Sequence, residues 1–107
     1  MLVRQSEQIQ EPSLHGTPKA VILRGGVLPN VTQVAVATLR ETDMIEPHRH
    51  PTMYEIYYVL EGEATYHVAG EPHHVGPGDF LVVPPGAEHF QQVTKGPHKV
   101  FYWGIAV

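Results

Sequence analysis

The sequence predicts an all-β protein, built from short strands in a sandwich or barrel with no substantial helix. Runs rich in β-branched and aromatic residues recur about every ten residues, which is the spacing typical of such folds. Ten glycines and ten prolines are spread among these runs, where they favour turns. No stretch shows the apolar period of an amphipathic helix. At 107 residues the chain is long enough for one domain with its own core.

The N-terminal part of the chain predicts an arm followed by two strands. Residues 1–19 are polar with scattered prolines, so we expect an extended arm there and a single domain over 20–107. The apolar run 20–23 is the first predicted strand. Val31–Leu39 is the second, because it is rich in the β-branched residues that favour strands.

Six further strands are predicted in the second half of the chain, separated by turns. They cover residues 55–60, 63–68, 73–75, 80–83, 89–94 and 100–107. The turns are predicted at 61–62, 69–72, 76–79, 84–86 and 95–97, because each of these segments contains glycine or proline.

Two of the predicted strands, 55–60 and 100–107, are apolar on both faces. A strand that lines a barrel and faces water on its outside alternates apolar and polar residues instead. The outer faces of these two strands therefore need cover from a second sheet, the N-terminal arm or a second subunit. We expect a homodimer.

The composition argues against several classes of partner and location. The formal net charge is −4, with seven Lys and Arg against eleven Asp and Glu, and no basic patch suits nucleic acid. No apolar run approaches the roughly 20 residues that span a bilayer, and the N-terminus lacks the apolar stretch of a secretory signal. The absence of cysteine excludes disulfides and thiolate ligands. We expect a soluble, cytoplasmic protein with no nucleic-acid or membrane partner.

Three histidines and one glutamate predict a metal site. His48 and His50 are two residues apart, so on a strand both point to one side, roughly 6.6 Å apart along the chain. Pro51 interrupts that strand and allows Glu55 to enter from the next one, while His89 comes from a later strand. Imidazole and carboxylate groups are ligands of divalent metals. The alternative is that His48 and His50 are exposed side chains of a proline-rich loop.

This ligand set suits one Mn, Fe, Ni, Co or Zn ion, and the lack of sulfur disfavours Cu(I). Four protein ligands in an octahedral field leave two positions for water, substrate or O₂. Glu55 is also a candidate catalytic base.

Side-chain parity predicts which further residues line a pocket. Tyr57 shares the face of Glu55 and Gln91 shares that of His89, so both are candidates, with core packing an equal alternative for Tyr57. Met53 is a third candidate, and filling of the core or rim explains it equally well. The histidines near turns and termini are expected to be solvated: His15, His73, His74 and His98.

Two motifs of this chain resemble those of the cupin superfamily. The first, G(X)5HXH(X)3–4E(X)6G, is matched at His48, His50, Glu55 and Gly62. The second, G(X)5PXG(X)2H(X)3N, is matched at Gly78, Pro84, Gly86 and His89. Thr42 replaces the opening glycine and Val93 the closing asparagine, and neither position is a metal ligand in the family. The resemblance covers residues 42–93 and is to small single-domain members of the conserved-barrel cupin 2 type.

The resemblance implies a small antiparallel β-barrel of the jelly-roll type with one metal inside, commonly as a dimer. It implies little about the reaction, because the family includes dioxygenases, isomerases, decarboxylases, lyases and sugar-binding modules. One open function is a metal-dependent enzyme on a small organic substrate, with dioxygenase-like oxidation favoured over isomerase or lyase chemistry. A second is a non-catalytic module that binds a sugar or hydroxy acid. The third is a protein with a structural metal that acts through a partner. The tyrosine and valine near the site predict an apolar pocket, which favours the enzyme over the sugar-binding module.

Overall fold

The computed structural model describes residues 1–107 and contains seven β-strands and no α-helix. The strands are β1 (Ile9–Pro12), β2 (Pro18–Leu23), β3 (Val31–Leu39), β4 (Met53–Val68), β5 (Glu71–Val75), β6 (Phe80–Val83) and β7 (His89–Ala106). A 3-10 turn, Gln5–Glu7, precedes β1. The predicted all-β class is confirmed. None of the chain's helical segments has the length and apolar character needed to cross a membrane.

Antiparallel pairing joins all seven strands in the order β1-β2-β3-β7-β4-β5, and β6 pairs with β4. The long pair of β4 and β7 is the frame of the fold, with Met53 opposite Ala106 at one end and Val68 opposite His89 at the other. The N-terminal half of β4 also pairs with β6, and its C-terminal half pairs with β5. Buried residues from both halves belong to one core, so the sheet bends round on itself.

The bend in this long pair lies where the sequence predicted two reversing turns. Residues 61–62 and 95–97 do not reverse the chain, because β4 and β7 continue through them with shifts in register. Gly62 has φ +73°, and a Cβ there would collide with the carbonyl oxygen of Pro97. Glycine permits both this conformation and the close approach of the strands. The two predicted turns were therefore wrong, and each is a bulge within one bent strand.

The N-terminal residues contain a strand that the sequence did not predict. β1 pairs with β2, with Ile9 opposite Val21, and β2 begins at Pro18. The sequence Ile-Gln-Glu-Pro of β1 has little intrinsic preference for a strand. Pairing with β2 therefore forms this strand, and the domain boundary at residue 20 stays a prediction.

The core contains a histidine that the sequence placed in solvent. His98 is 0% exposed. The Tyr66 hydroxyl donates to its Nε2 at 2.8 Å, and its Nδ1 donates to the Glu61 carbonyl at 3.2 Å. Both ring nitrogens are thus satisfied without water, which makes burial of the imidazole tolerable. The expectation that His98 is solvated was wrong for this reason.

One face of the large sheet is apolar and exposed, and we call it the outer apolar face. It consists of two cross-strand rows on β6, β4, β7 and β3: Phe80–Tyr58–Phe101–Val36 and Val82–Ile56–Trp103–Val34. Phe80 is 56% exposed, Val82 44% and Tyr58 41%. The second apolar face predicted for β4 and β7 is therefore present, and no element of this chain covers it.

Candidate metal centre

His48, His50 and His89 lie together at one end of the long strand pair. The backbone of His48 pairs with that of His89 at the start of β7, through hydrogen bonds of 3.0 and 2.8 Å. The His50 carbonyl accepts from the Gly86 N–H at 3.0 Å. The three ligand nitrogens lie within 4.8 Å of one another, and His89 is the most deeply buried at 1% exposed. Such proximity suits three imidazoles that share one ion, with bonds of about 2.1 Å.

Backbone carbonyls hold two of these rings in one tautomer. Nδ1 of His48 donates to the Glu46 carbonyl at 2.7 Å, and Nδ1 of His89 donates to the Ala87 carbonyl at 3.0 Å. A carbonyl can only accept, so in both rings Nδ1 carries the hydrogen and Nε2 keeps its lone pair. Nε2 of His89 is buried and has no hydrogen-bond partner. An unpartnered buried acceptor is costly, and a metal ion would satisfy it, so the residues fit such a group.

Glu55, near the start of β4, joins this cluster through His50. His50 Nε2 donates to Glu55 Oε2 at 3.0 Å, and the Tyr57 hydroxyl donates to Oε1. Burial alone would raise the pKa of the Glu55 carboxyl, but these two hydrogen bonds outweigh it and hold that pKa below its usual value. The hydrogen bond to Glu55 also raises the pKa of His50. Metal binding by both residues would therefore release the proton between them.

Tyr57 belongs to the core and to the site at once. Its side chain is 4% exposed, and its ring centroid lies 5.2 Å from that of Tyr66 and 6.0 Å from that of Tyr102. Burial, with the charge of Glu55, raises the pKa of Tyr57 well above its usual value. The hydroxyl therefore stays protonated and is a fixed donor to the carboxylate. The two alternatives predicted for Tyr57, core packing and a place at the pocket, describe the same position.

A cavity of about 190 Å³ opens beside the cluster. Its walls include six of the seven predicted site residues: His48, His50, Glu55, Met53, Tyr57 and Gln91. Gln91 is 6% exposed, and its amide oxygen has no hydrogen-bond partner. Polar residues outnumber apolar ones in the lining. The lining surface is nevertheless mostly apolar, as the sequence predicted, and the loop before β2 and the strands β2 and β3 add polar side chains to it.

The loop between β1 and β2 adds a fourth imidazole to the site, and this residue, His15, is exposed as the sequence analysis expected. Ser13 and Thr17 close this loop, because the Ser13 N–H donates to the Thr17 carbonyl at 2.7 Å and their hydroxyls lie 2.8 Å apart. His15 then lies on the cavity wall with its ring centroid 4.6 Å from that of His48. Burial, together with the nearby His48, lowers the pKa of His15. No spacing in the sequence relates the two histidines, since the loop reaches the site through strand pairing.

Lys19 of β2 also reaches the cavity, and the sequence analysis did not single it out. Its side chain is 12% exposed, and its Nζ donates to Gln33 Oε1 at 3.0 Å. Both residues line the cavity. The acidic partner of Lys19 is Glu11, which forms an ion pair with it at 3.7 Å. Strand parity was the available clue, because Lys19 shares a face with the core residue Val21.

Comparison with known proteins agrees with this geometry. The family model described as a cupin domain matches residues 35–101, which is more than half of the chain. The chain belongs to the cupin family. An uncharacterized protein of Methanocaldococcus jannaschii is 38% identical to this cupin over 53 residues. Those residues are 50% of this chain and 35% of the relative, so the match spans about a third of the relative's length.

Several solved structures share the fold of this cupin. A predicted oxalate decarboxylase from Thermotoga maritima has a TM-score of 0.87 and 23% identity, with 100% of both chains covered. KdgF from Halomonas sp. has a TM-score of 0.85 and 18% identity, with 100% of this chain and 94% of that chain covered. Pac13, a nucleoside dehydratase from Streptomyces, has a TM-score of 0.78 and 20% identity, with 99% and 82% covered. At these identities the similarity shows the fold alone.

Proposed function

We propose that this cupin binds one divalent transition metal through His48, His50, His89 and Glu55, and acts as a metal-dependent enzyme on a small organic substrate. The observation that carries the proposal is the cluster of imidazole nitrogens beside a cavity, with Nε2 of His89 buried and unpartnered. Nitrogen and oxygen donors without sulfur favour Mn, Fe, Co, Ni or Zn. When bound, such a metal supplies Lewis-acid polarisation and a template that orients the substrate.

Oxidative, dioxygenase-like chemistry is the reaction class that we propose for the site. Three neutral imidazoles and one carboxylate leave positions free for a substrate and for O₂ in an octahedral field. Two roles were predicted for Glu55, metal ligand and catalytic base. Its lowered pKa favours the ligand role, because a carboxylate that holds its proton weakly is a poor acceptor in catalysis. Tyr57 fixes the orientation of that carboxylate.

A non-catalytic binding module is the second candidate, and several polar side chains in the lining of the cavity support it. The unpartnered amide oxygen of Gln91 and the side chains of Lys19 and Gln33 suit a ligand rich in hydroxyl or carboxylate groups. Both functions require a small ligand, since about 190 Å³ is below the roughly 300–1,000 Å³ of typical ligand pockets. The cytoplasmic location predicted from the sequence stays a prediction.

Metal content and oxygen uptake test the proposal together. The protein is prepared anaerobically, loaded in turn with each candidate metal, freed of excess ion and subjected to elemental analysis. We expect one ion per chain in the wild type and in the control His74→Ala, whose histidine is exposed, and far less in His89→Ala. Oxygen uptake is then measured on catechols, diketones and flavonols.

Each result of this experiment separates the alternatives. Equal metal content in His89→Ala and the wild type would contradict the proposed site. Stoichiometric metal without oxygen uptake on any of these compounds would contradict the oxidative enzyme and favour the binding module.

We further propose that a second copy of this cupin covers the outer apolar face. Its two rows contain eight apolar or aromatic residues and no charged residue, and the half-buried rings of Phe101 and Trp103 lie 5.3 Å apart within it. A face of this kind is complementary to itself across a two-fold axis. Isolated monomers rarely expose an apolar patch of this extent.

Sedimentation velocity tests the homodimer at micromolar concentration. We expect a dimer for the wild type and for Leu2→Glu, which alters an exposed residue outside the face. Phe80→Glu places a charge on the most exposed residue of the face, at its β6 end, and is expected to give monomers. A monomeric wild type would contradict the proposal.

A further inference from the structure

Lys19 is the one permanently charged cation in the lining of the cavity, and Glu55 is the one acidic residue there. Lys19 projects from β2 and Glu55 from β4, so they belong to different parts of the barrel wall. The family motifs do not include Lys19, and the proposed metal site does not use it. Its side chain is nevertheless only 12% exposed. Burial of a charge is costly unless polar or charged partners satisfy it, so the partners of this ammonium group matter.

The ammonium group of Lys19 is incompletely satisfied within the protein. It has three N–H donors, and one of them is used, in the hydrogen bond to Gln33. It forms an ion pair with Glu11, whose nearest carboxylate oxygen lies 3.7 Å away and outside hydrogen-bond distance. Glu11 is itself bound by Arg24, with hydrogen bonds of 3.0 and 3.4 Å. Two donors of a largely buried cation are therefore available to a ligand.

The register of the sheet places Lys19 on the same inner face as Glu55, on a strand three positions away from β4. Lys19 pairs with Ala37, which pairs with Val100, which pairs with Val59 on β4. Residues opposite one another share a face, and Glu55 lies on that same inner face of β4. Three strand spacings, about 14 Å of sheet, separate the backbones of Lys19 and Val59, and Glu55 lies four residues away along β4. Lys19 and Glu55 nevertheless line the same cavity.

The charges of the lining favour an anionic ligand. Glu55 and the divalent metal would compensate each other in part, and neutral imidazoles add no charge. Lys19 then adds a positive charge elsewhere in the lining of the same small cavity. A ligand with a negative group at each end complements this arrangement, because a cavity of one sign concentrates ions of the other.

We propose that the ligand of this cupin is a small organic dicarboxylate, with its chelating end at the metal-binding residues and its second carboxylate hydrogen-bonded to Lys19. The inference rests on the proposed metal site and defines the substrate class for it. Gln33 orients the ammonium group. The free amide oxygen of Gln91 accepts a hydrogen bond from a hydroxyl of the ligand. The cavity volume of about 190 Å³ is below the roughly 300–1,000 Å³ of typical ligand pockets, which limits the ligand to a compact acid.

Two matched ligand pairs test the role of the second carboxylate. Malate and 2-hydroxybutyrate have the same chelating hydroxy-acid end, but the second carboxylate of malate is replaced by a methyl group. 2-Oxoglutarate and 2-oxopentanoate are the corresponding oxo-acid pair. Binding to the metal-loaded protein is measured by isothermal titration calorimetry, and the metal content of each sample is measured alongside.

We expect at least one dicarboxylate to bind the wild type about tenfold or more tightly than its neutral-tailed partner. One charge-assisted hydrogen bond accounts for a difference of this size. Lys19→Gln should abolish that preference without change in metal content. The control Lys95→Gln removes an exposed positive charge outside the cavity and should keep the preference.

The outcomes distinguish the inference from the function on which it rests. A wild-type protein that binds metal but shows no preference within either pair overturns the inference, and this comparison needs no variant to fold. Preference that persists in Lys19→Gln also overturns it. A protein that holds no metal under any condition overturns the proposed function itself, and the inference with it.

Discussion

Replacement of Tyr57 by phenylalanine tests how the barrel core supports the metal site. The Tyr57 hydroxyl donates to Oε1 of Glu55, while Oε2 of the same carboxylate faces His50. The change removes one oxygen atom and leaves the buried ring in place. Its effect on the metal site therefore reports the loss of that hydrogen bond and not a loss of core packing.

The structure allows the size of the effect to be worked out. Glu55 is 8% exposed, so Oε1 cannot exchange the lost donor for bulk water. A buried acceptor left without its partner costs about 1–3 kcal/mol. Groups that orient metal ligands typically change metal affinity by about 10–100-fold, which is about 1.4–2.7 kcal/mol. The two estimates agree, and we expect Tyr57→Phe to weaken metal binding about 10–100-fold.

The assay is competition for Zn²⁺ between the protein and a fluorescent chelator, with Tyr102→Phe as the matched control. Tyr102 also lines the cavity and packs against Tyr57, but it makes no hydrogen bond to Glu55. Tyr102→Phe should change the affinity by less than about threefold. Equal affinities for the wild type and Tyr57→Phe would refute the role of the hydroxyl in the site.

Two further predictions concern the stability of the barrel, and urea denaturation measures both. Burial lowers the pKa of His98, so the unfolded chain, with its usual value near 6.5, binds a proton that the folded chain excludes. The free energy of unfolding should therefore fall as the pH falls below about 6.5, and fall less steeply in His98→Gln. Gly62→Ala should destabilise by more than about 2 kcal/mol, because it combines left-handed strain of about 1–2 kcal/mol with a collision at Pro97. Gly70→Ala has the same strain with φ +81° and free space around it, so it should cost about 1–2 kcal/mol.

For each stability prediction, one result of the urea denaturation experiments would contradict the physical reason given. Identical pH dependence in the wild type and His98→Gln would show that this imidazole does not resist protonation in the folded state. Equal losses in Gly62→Ala and Gly70→Ala would show that the strands at the bulge can separate without cost.

Local patterns were sufficient for the all-β class and for most strand positions. Val31–Leu39 and Phe80–Val83 have the bounds that β-branched content and flanking turns predicted. The bulges at Gly62 and Gly96 were not predictable in the same way. Glycine favours a hairpin turn and a bulge equally, and the choice depends on whether the partner strand also continues past that point.

The chemistry of the site was likewise visible in part from the sequence. Spacing and residue type predicted a metal site at His48, His50, Glu55 and His89, because imidazole and carboxylate groups are ligands of divalent metals. The structure brings these four together, and their role as ligands stays a prediction for the metal analysis.

Long-range contacts set the remainder of the site. His15 meets His48, and Lys19 enters the cavity, because the β1–β2 hairpin pairs along the edge of β3 and its loop lies against the site. His98 is a core residue for a similar reason, since Tyr66 lies opposite its ring across the barrel. A residue's neighbours along the chain determine its backbone preference and the face on which it lies. Which distant side chain it meets depends on strand register and on closure of the sheet, and no local spacing contains that information.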